Sequence, residues 1–209
     1  MAIIADGNTP TQLMGVDANS RAGRVSPYGP DGQALVYNSN NDRGVADIRV
    51  KASSTAAAST VVWGLLNKSS GKTLYIYRIC LQPGFNGTGA ASEQQWELVK
   101  GTGCTALTNS TVVTPLISRT GIANSDVLAG VLDTGITLTG VTLGSPFYNI
   151  YWARLTHSAT QAGNMGDQHI LDFSSTPLEL AYQEVLAIRN AQTQVIGDLL
   201  SGGCFFYGG

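Results

Sequence analysis

The sequence predicts an all-β protein, an antiparallel jelly-roll-type β-sandwich over residues 34–209 preceded by an extended arm over residues 1–33. Three observations carry this expectation. Short apolar stretches of strand length recur between turn-rich loops, with no internal repeat. No segment of useful length keeps a helical period; in the closing third a helix would bury Pro177, Gly197 or Gly202-Gly203 in its interior, each costly. Charged residues make up only 12% of the chain, about half the usual ~25%, and Gly, Ser, Thr, Asn and Gln take their place.

The first 33 residues are rich in Gly, Pro, Asn and Asp, and their apolar residues come in short groups, Ile3-Ile4 and Leu13-Met14. They read as an arm whose apolar pieces would dock on something else. Strands begin with Ala34–Tyr37, closed by the turn-forming run NSNNDRG. In VADIRVK, Ile48 and Val50 alternate with Asp47 and Arg49, as one buried face requires. The run TVVWGLLN (60–67) is apolar throughout, which suits a strand covered on both sides.

The run TLYIYRICL (73–81) is the strongest strand signal and is expected at the centre of a sheet, with Leu74, Ile76, Arg78 and Cys80 on one face. Residues 82–92 read as a glycine-rich loop and QQWELVK (94–100) as a strand. Pro115 interrupts the strand TVVTPLI, since it cannot donate to a ladder. VLAGVLD could be a strand or a turn of helix; IYWARL (150–155) is a strand, and 156–168 a long loop. Leu178, Leu180 and Tyr182 alternate as one buried face, Val185–Ile188 resumes the strand, and Arg189-Asn190 reads as a polar turn. Gln194–Leu200 and Cys204–Tyr207 supply two further short segments.

Composition also bounds function. The net charge of −2 argues against a nucleic-acid binder working through a basic patch. No run approaches the ~18 apolar residues that a membrane helix needs, and MAIIADGNTP has neither the basic region nor the apolar core of a signal peptide. Synthesis in a cytoplasm, without export by that route, is the expectation. Cys80, Cys104 and Cys204 fit no zinc spacing and are expected to be buried free thiols. Low charge suits a surface covered by neighbours, so the chain is expected in an assembly.

Catalytic patterns are thin. His157 and His169 are the two histidines, and Asp167 and Asp172 flank His169 in GDQHILD, a possible base with an orienting carboxylate. No nucleophile context, GxSxG, HExxH or phosphate-binding loop accompanies them. Glu93 and Glu97 would be drawn together by a helix, but the segment reads as strand. No enzymatic activity, metal or cofactor is expected. Tyr75, Tyr77, Trp96, Tyr151 and Trp152 could form a sugar-stacking platform, yet most lie in apolar strands and read as core. Phe205-Phe206-Tyr207 cannot all point inward from one strand, so at least one should meet another layer or a second subunit. Leu13, Met14, Val16, Phe205, Phe206 and Tyr207 are the candidate subunit or shell contacts.

Three segments carry a family resemblance: KTLYIYRICLQPGFNGTGAASEQQWELVKGTG, the distal PLELAYQEVLAIRN, and the leading IIADGNTPTQLMGVDANSRAGRV. Together they resemble virion structural proteins of tailed bacteriophages, in which a strand, a variable glycine-rich loop and a W-x-L strand precede an LAIRN-type turn. Tyr182-Gln183-Glu184 stands where that family has a turn glycine. The resemblance implies a jelly roll and a role as capsid decoration (cement) protein, commonly a trimer, in contact with the major capsid protein or another virion protein. The alternative it leaves open is a neck, tail, or fibre or spike component that binds carbohydrate on a host surface. Either way the protein would reside in the virion, after assembly in the host bacterial cytoplasm.

Overall fold

The computed structural model describes residues 43–86, 92–117, 121, 123–154 and 164–208. The expected arm, the strand at 34–37, and Leu13, Met14, Val16 and His157 lie outside them. Every described element is a strand or a turn: β1 (Arg43–Lys51), β2 (Val61–Asn67), β3 (Leu74–Phe85), β4 (Ser92–Thr102), β5 (Ala106–Thr108), β6 (Thr111–Val113), β7 (Leu116–Ile117) and β8 (Val127–Val131). β9 (Thr137–Thr139), β10 (Thr142–Arg154), β11 (Asn164–Met165), β12 (His169–Asp172), β13 (Leu178–Leu180), β14 (Val185–Asn190) and β15 (Asp198–Gly208) follow.

These strands make an antiparallel β-sandwich. One sheet has seven strands in the order β11-β3-β15-β1-β7, with β12 and β13 also pairing with β3. The other has six, in the order β10-β4-β14-β2-β8-β6. Between them lies the main core, to which the first sheet gives Ile48, Ile76, Ile79, Leu81 and Phe206, and the second Trp63, Leu65, Trp96, Leu98, Ile150 and Ile188. Burial of this much apolar surface is what holds the layers together. The indole Nε1 of Trp63 donates to the carbonyl oxygen of Asp47 at 2.9 Å, which gives this core side chain a polar tie across the layers.

β2, apolar from Val61 to Leu66, is covered on both faces, as its composition requires. Leu66, Val99, Val185 and Ala187 form the outer face of the six-stranded sheet, and they pack beneath Leu107 and Ile136. Those two residues belong to the stretch that carries the small β5-β9 sheet. Glycine makes the close approach possible: a Cβ on Gly64 would stand 3.1 Å from Leu107 and Ile136, and one on Gly130 only 2.5 Å from Leu107.

Several local expectations change. Tyr77 is an extra residue in β3, because Phe206 faces Ile76 while Phe205 faces Arg78. Such a bulge shifts the alternation by one position. Leu74 and Ile76 therefore point inward before it, and Ile79 and Leu81 after it, whereas Arg78 is exposed. β3 also continues through Pro83 to Phe85 instead of ending in a loop at Gln82. Pro83 accepts a bond from the Gly166 amide at the interruption between β11 and β12, so its missing donor meets a break in the neighbouring edge.

VLAGVLD is strand, not helix, over β8. Tyr182 lies beyond the end of β13 and is exposed, and Arg189-Asn190 completes β14 where a turn was expected. The reason is pairing: Arg189 faces Glu97 across the ladder, and its Nε lies 2.6 Å from the Glu97 carboxylate. The turn that precedes β14 places Gln183 at φ 61, a left-handed conformation that glycine adopts without steric cost. Finally, the two closing segments are one strand. β15 runs straight through Gly202-Gly203, since a Cβ at Gly202 would fall 1.9 Å from the Cys80 carbonyl oxygen.

Candidate functional site

The two outer faces of the sandwich differ. The outer face of the six-stranded sheet is covered by the protein's own chain over β2, β14 and β4, with Phe147 and Tyr151 of the edge strand β10 left exposed, whereas the seven-stranded sheet turns a cluster of aromatic rings outward. The cluster follows from β3 and β15. Along β15, Phe206 points into the core and is fully buried, so its neighbours Phe205 and Tyr207 must point the other way. Along β3, Tyr75 faces outward and Tyr77, two residues on, lies on the same side, after which the bulge keeps Arg78 outward as well. The Tyr75 and Tyr207 rings stack at 5.1 Å with 19° between planes. Tyr77 stands 6.2 Å from both Phe205 and Tyr207. All four rings are half-buried.

Charge surrounds the cluster. Glu179 pairs with Tyr75 on one side, and Arg43 pairs with Tyr207 on the other. The Tyr207 hydroxyl is held above its ordinary pKa by burial first, then by Tyr75 and Glu179, while Arg43 opposes the shift. Arg78 lies 3.5 Å from Asp172 along the next row. Such an arrangement, aromatic at the centre and charged at the rim, has the composition of a protein contact surface.

Of the contact residues expected from sequence, Phe205 and Tyr207 belong to this face. Phe206 does not: the alternation of β15 commits it to the protein's own core. Tyr75 and Tyr77, expected in the core, are the residues that sequence reasoning missed here, with Arg43 and Glu179 at the rim. Their signal was the choice of tyrosine, whose hydroxyl favours a wet edge, in a strand otherwise built of aliphatic residues. Trp96 and Trp152 are buried, as expected, and Tyr151 is half-exposed near Glu93, whose carboxylate raises its pKa.

The catalytic candidates are not brought together. His169 and Asp172 fall on opposite faces of β12. The His169 Nδ1 lies 3.3 Å from the Tyr148 hydroxyl, while Asp172 bonds to Ser174 and Arg78. Glu93 and Glu97 share a face of β4 at ~13 Å from strand rise alone, beyond the ~5–9.5 Å used by paired glycosidase carboxylates. Glu97 is bound to Arg189. Among the described residues, no group of three or more His, Cys, Asp or Glu is placed to hold a metal ion, and no helix is long and apolar enough to cross a membrane. Cys104 and Cys204 are buried free thiols whose pKa burial pushes up; Cys80, also free, is only half-buried on the outer face of β3. Comparison with protein-family models, with curated proteins and with solved structures gives no match.

Proposed function

We propose that this chain is a non-enzymatic structural subunit of a bacteriophage particle, with capsid decoration (cement) as its role. The observation that carries the reading is the charge-rimmed cluster of four aromatic rings on the outer face of the seven-stranded sheet. A lone soluble domain has no use for such a face, while a subunit packed among copies of itself and a shell buries it. The low charge content and the resemblance in the strand and turn segments support the same reading.

The strand order supports the jelly-roll form of the sandwich. With β11, β12 and β13 taken as one interrupted strand, the long strands fall in the order β1-β15-β3-β11/β12/β13 in one sheet and β2-β14-β4-β10 in the other, and the chain changes sheet at each step except from β4 to β10. That order is the one a double Greek key would give, and it supports the jelly-roll reading. A carbohydrate platform fits the site less well, because sugar stacking needs open ring faces and Tyr75 and Tyr207 already cover a face of each other.

The test is co-sedimentation of the purified full chain with empty phage shells, paired with its solution mass by light scattering. A self-associated species that pellets with shells, at a copy number matched to the lattice, is the expected result. A monomer indifferent to shells would sink the proposal.

A further inference from the structure

The outward side chains of the seven-stranded sheet stand in rows that cross four neighbouring strands. Register gives one row as Glu179, Tyr75, Tyr207 and Arg43, running over β13, β3, β15 and β1. The next row is Asp172, Arg78, Phe205 and Val45. Tyr77 is inserted between the two rows by the bulge. The first row is acidic at one end, basic at the other and aromatic in the middle. It is its own complement. A half-turn about an axis lying along the strands, midway between β3 and β15, would lay the row on a copy of itself. Glu179 then meets Arg43, and Tyr75 meets Tyr207. In the second row the same rotation sets the Arg78 guanidinium over the Phe205 ring, a cation–π arrangement.

We infer that this face is a two-fold self-interface, in which a second copy of this chain covers the Tyr75, Tyr77, Phe205 and Tyr207 cluster with its own, closed at the rim by reciprocal Glu179–Arg43 pairs. The inference deepens the structural reading above, since it names the partner of the aromatic face. Size agrees with it. Four strands at ~4.8 Å spacing and the nine residues of β1 at ~3.4 Å give a face of about 19 by 30 Å. That footprint is roughly 600 Å² in projection, and side-chain relief brings it toward the ~800 Å² per partner of a standard interface. Isologous two-fold contacts are also the commonest closed symmetry among homo-oligomers. A two-fold contact closes on pairs, in contrast to the trimer that the family resemblance implies.

The experiment uses the full chain, free of shells, in sedimentation velocity over a dilution series at low and moderate salt. Wild type is expected as a dimer of a 21.9 kDa chain. Arg43→Glu and Glu179→Arg each place like charges across the axis and are expected to raise the dimer dissociation constant by about tenfold. The double variant Arg43→Glu/Glu179→Arg restores opposite charges and is expected to recover affinity to within about threefold. Both residues are exposed, so the fold does not depend on them. Tyr207→Ser, at the centre, is expected to give monomer. A chain monomeric at every concentration, or a double variant as weak as the singles, overturns the inference, and a monomer that still pellets with shells assigns the face to a shell protein. A charge-swap-sensitive dimer that ignores shells would keep this inference and remove the cement role.

Discussion

Asp133 shows how a single side chain ties the stability of this sandwich to pH. The Ser53 amide and hydroxyl both donate to Asp133 Oδ2 at 2.6 Å, joining positions 80 residues apart. Burial works against ionisation of this carboxyl, but the Ser53 bonds, with the amides of Thr134 and Asp133 itself, outweigh it and lower the pKa. With the folded value below the unfolded one of ~3.9, the stabilisation is complete above that pH and is lost as pH falls through the folded value. Ser53→Ala is expected to cost about 0.5–1 kcal/mol at pH 7, below the ~1.5–3 kcal/mol of a bond to a charged group because the pair is partly exposed. In urea melts run at pH 7, 5 and 3, the gap between variant and wild type should close at the acid end. A gap unchanged at pH 3 would mean that the carboxylate is not what Ser53 holds.

At the scale of elements, the β5-β9 cover is a satellite core on one sheet. Leu107 is its pivot, since it packs over the glycines of β2 and β8. Leu107→Ala is expected to destabilise the protein by about 2–4 kcal/mol, as other buried leucine truncations do. Hydrogen exchange should then accelerate in β5, β8 and β9 while β3 and β15 keep their protection. Equal loss in all strands would show that the cover is not a separate cooperative unit. The sequence was informative about much of this. The unbroken apolar run of β2 announced cover on both faces, and Pro115 announced the break between β6 and β7. It was silent about what supplies the cover, because Leu107, Ile136 and Leu138 are scattered among threonines and glycines with no period to join them. The aromatic face was legible in half: Phe205-Phe206-Tyr207 had to alternate, but one extra residue at Tyr77 reversed the phase of β3, and a single-residue slip leaves no compositional mark. Gly202-Gly203 looked like a strand boundary because glycine weakens strands, whereas here only glycine fits against the Cys80 carbonyl.

At the scale of the whole molecule, the seven-stranded sheet is held together by its last strand. β15 pairs with β1 along one edge and β3 along the other, so neither touches the other without it. Nearly every pairing joins residues far apart in sequence, which places the chain among slow folders. Refolding from urea is expected on the timescale of milliseconds to seconds, and a chain lacking residues 198–208 should show no cooperative unfolding transition. A sharp transition in that truncated chain would contradict the central place given to β15. The same topology bears on how the protein is made in a cell. β1 and β3 leave the ribosome long before β15, and until it emerges each offers an inner edge whose native neighbour is missing. Nascent chains on the same message carry the same open edges at high local concentration. What a chaperone must guard in this protein is therefore an interval in time, between the emergence of β3 and that of β15, during which the shared partner of both inner edges is still missing.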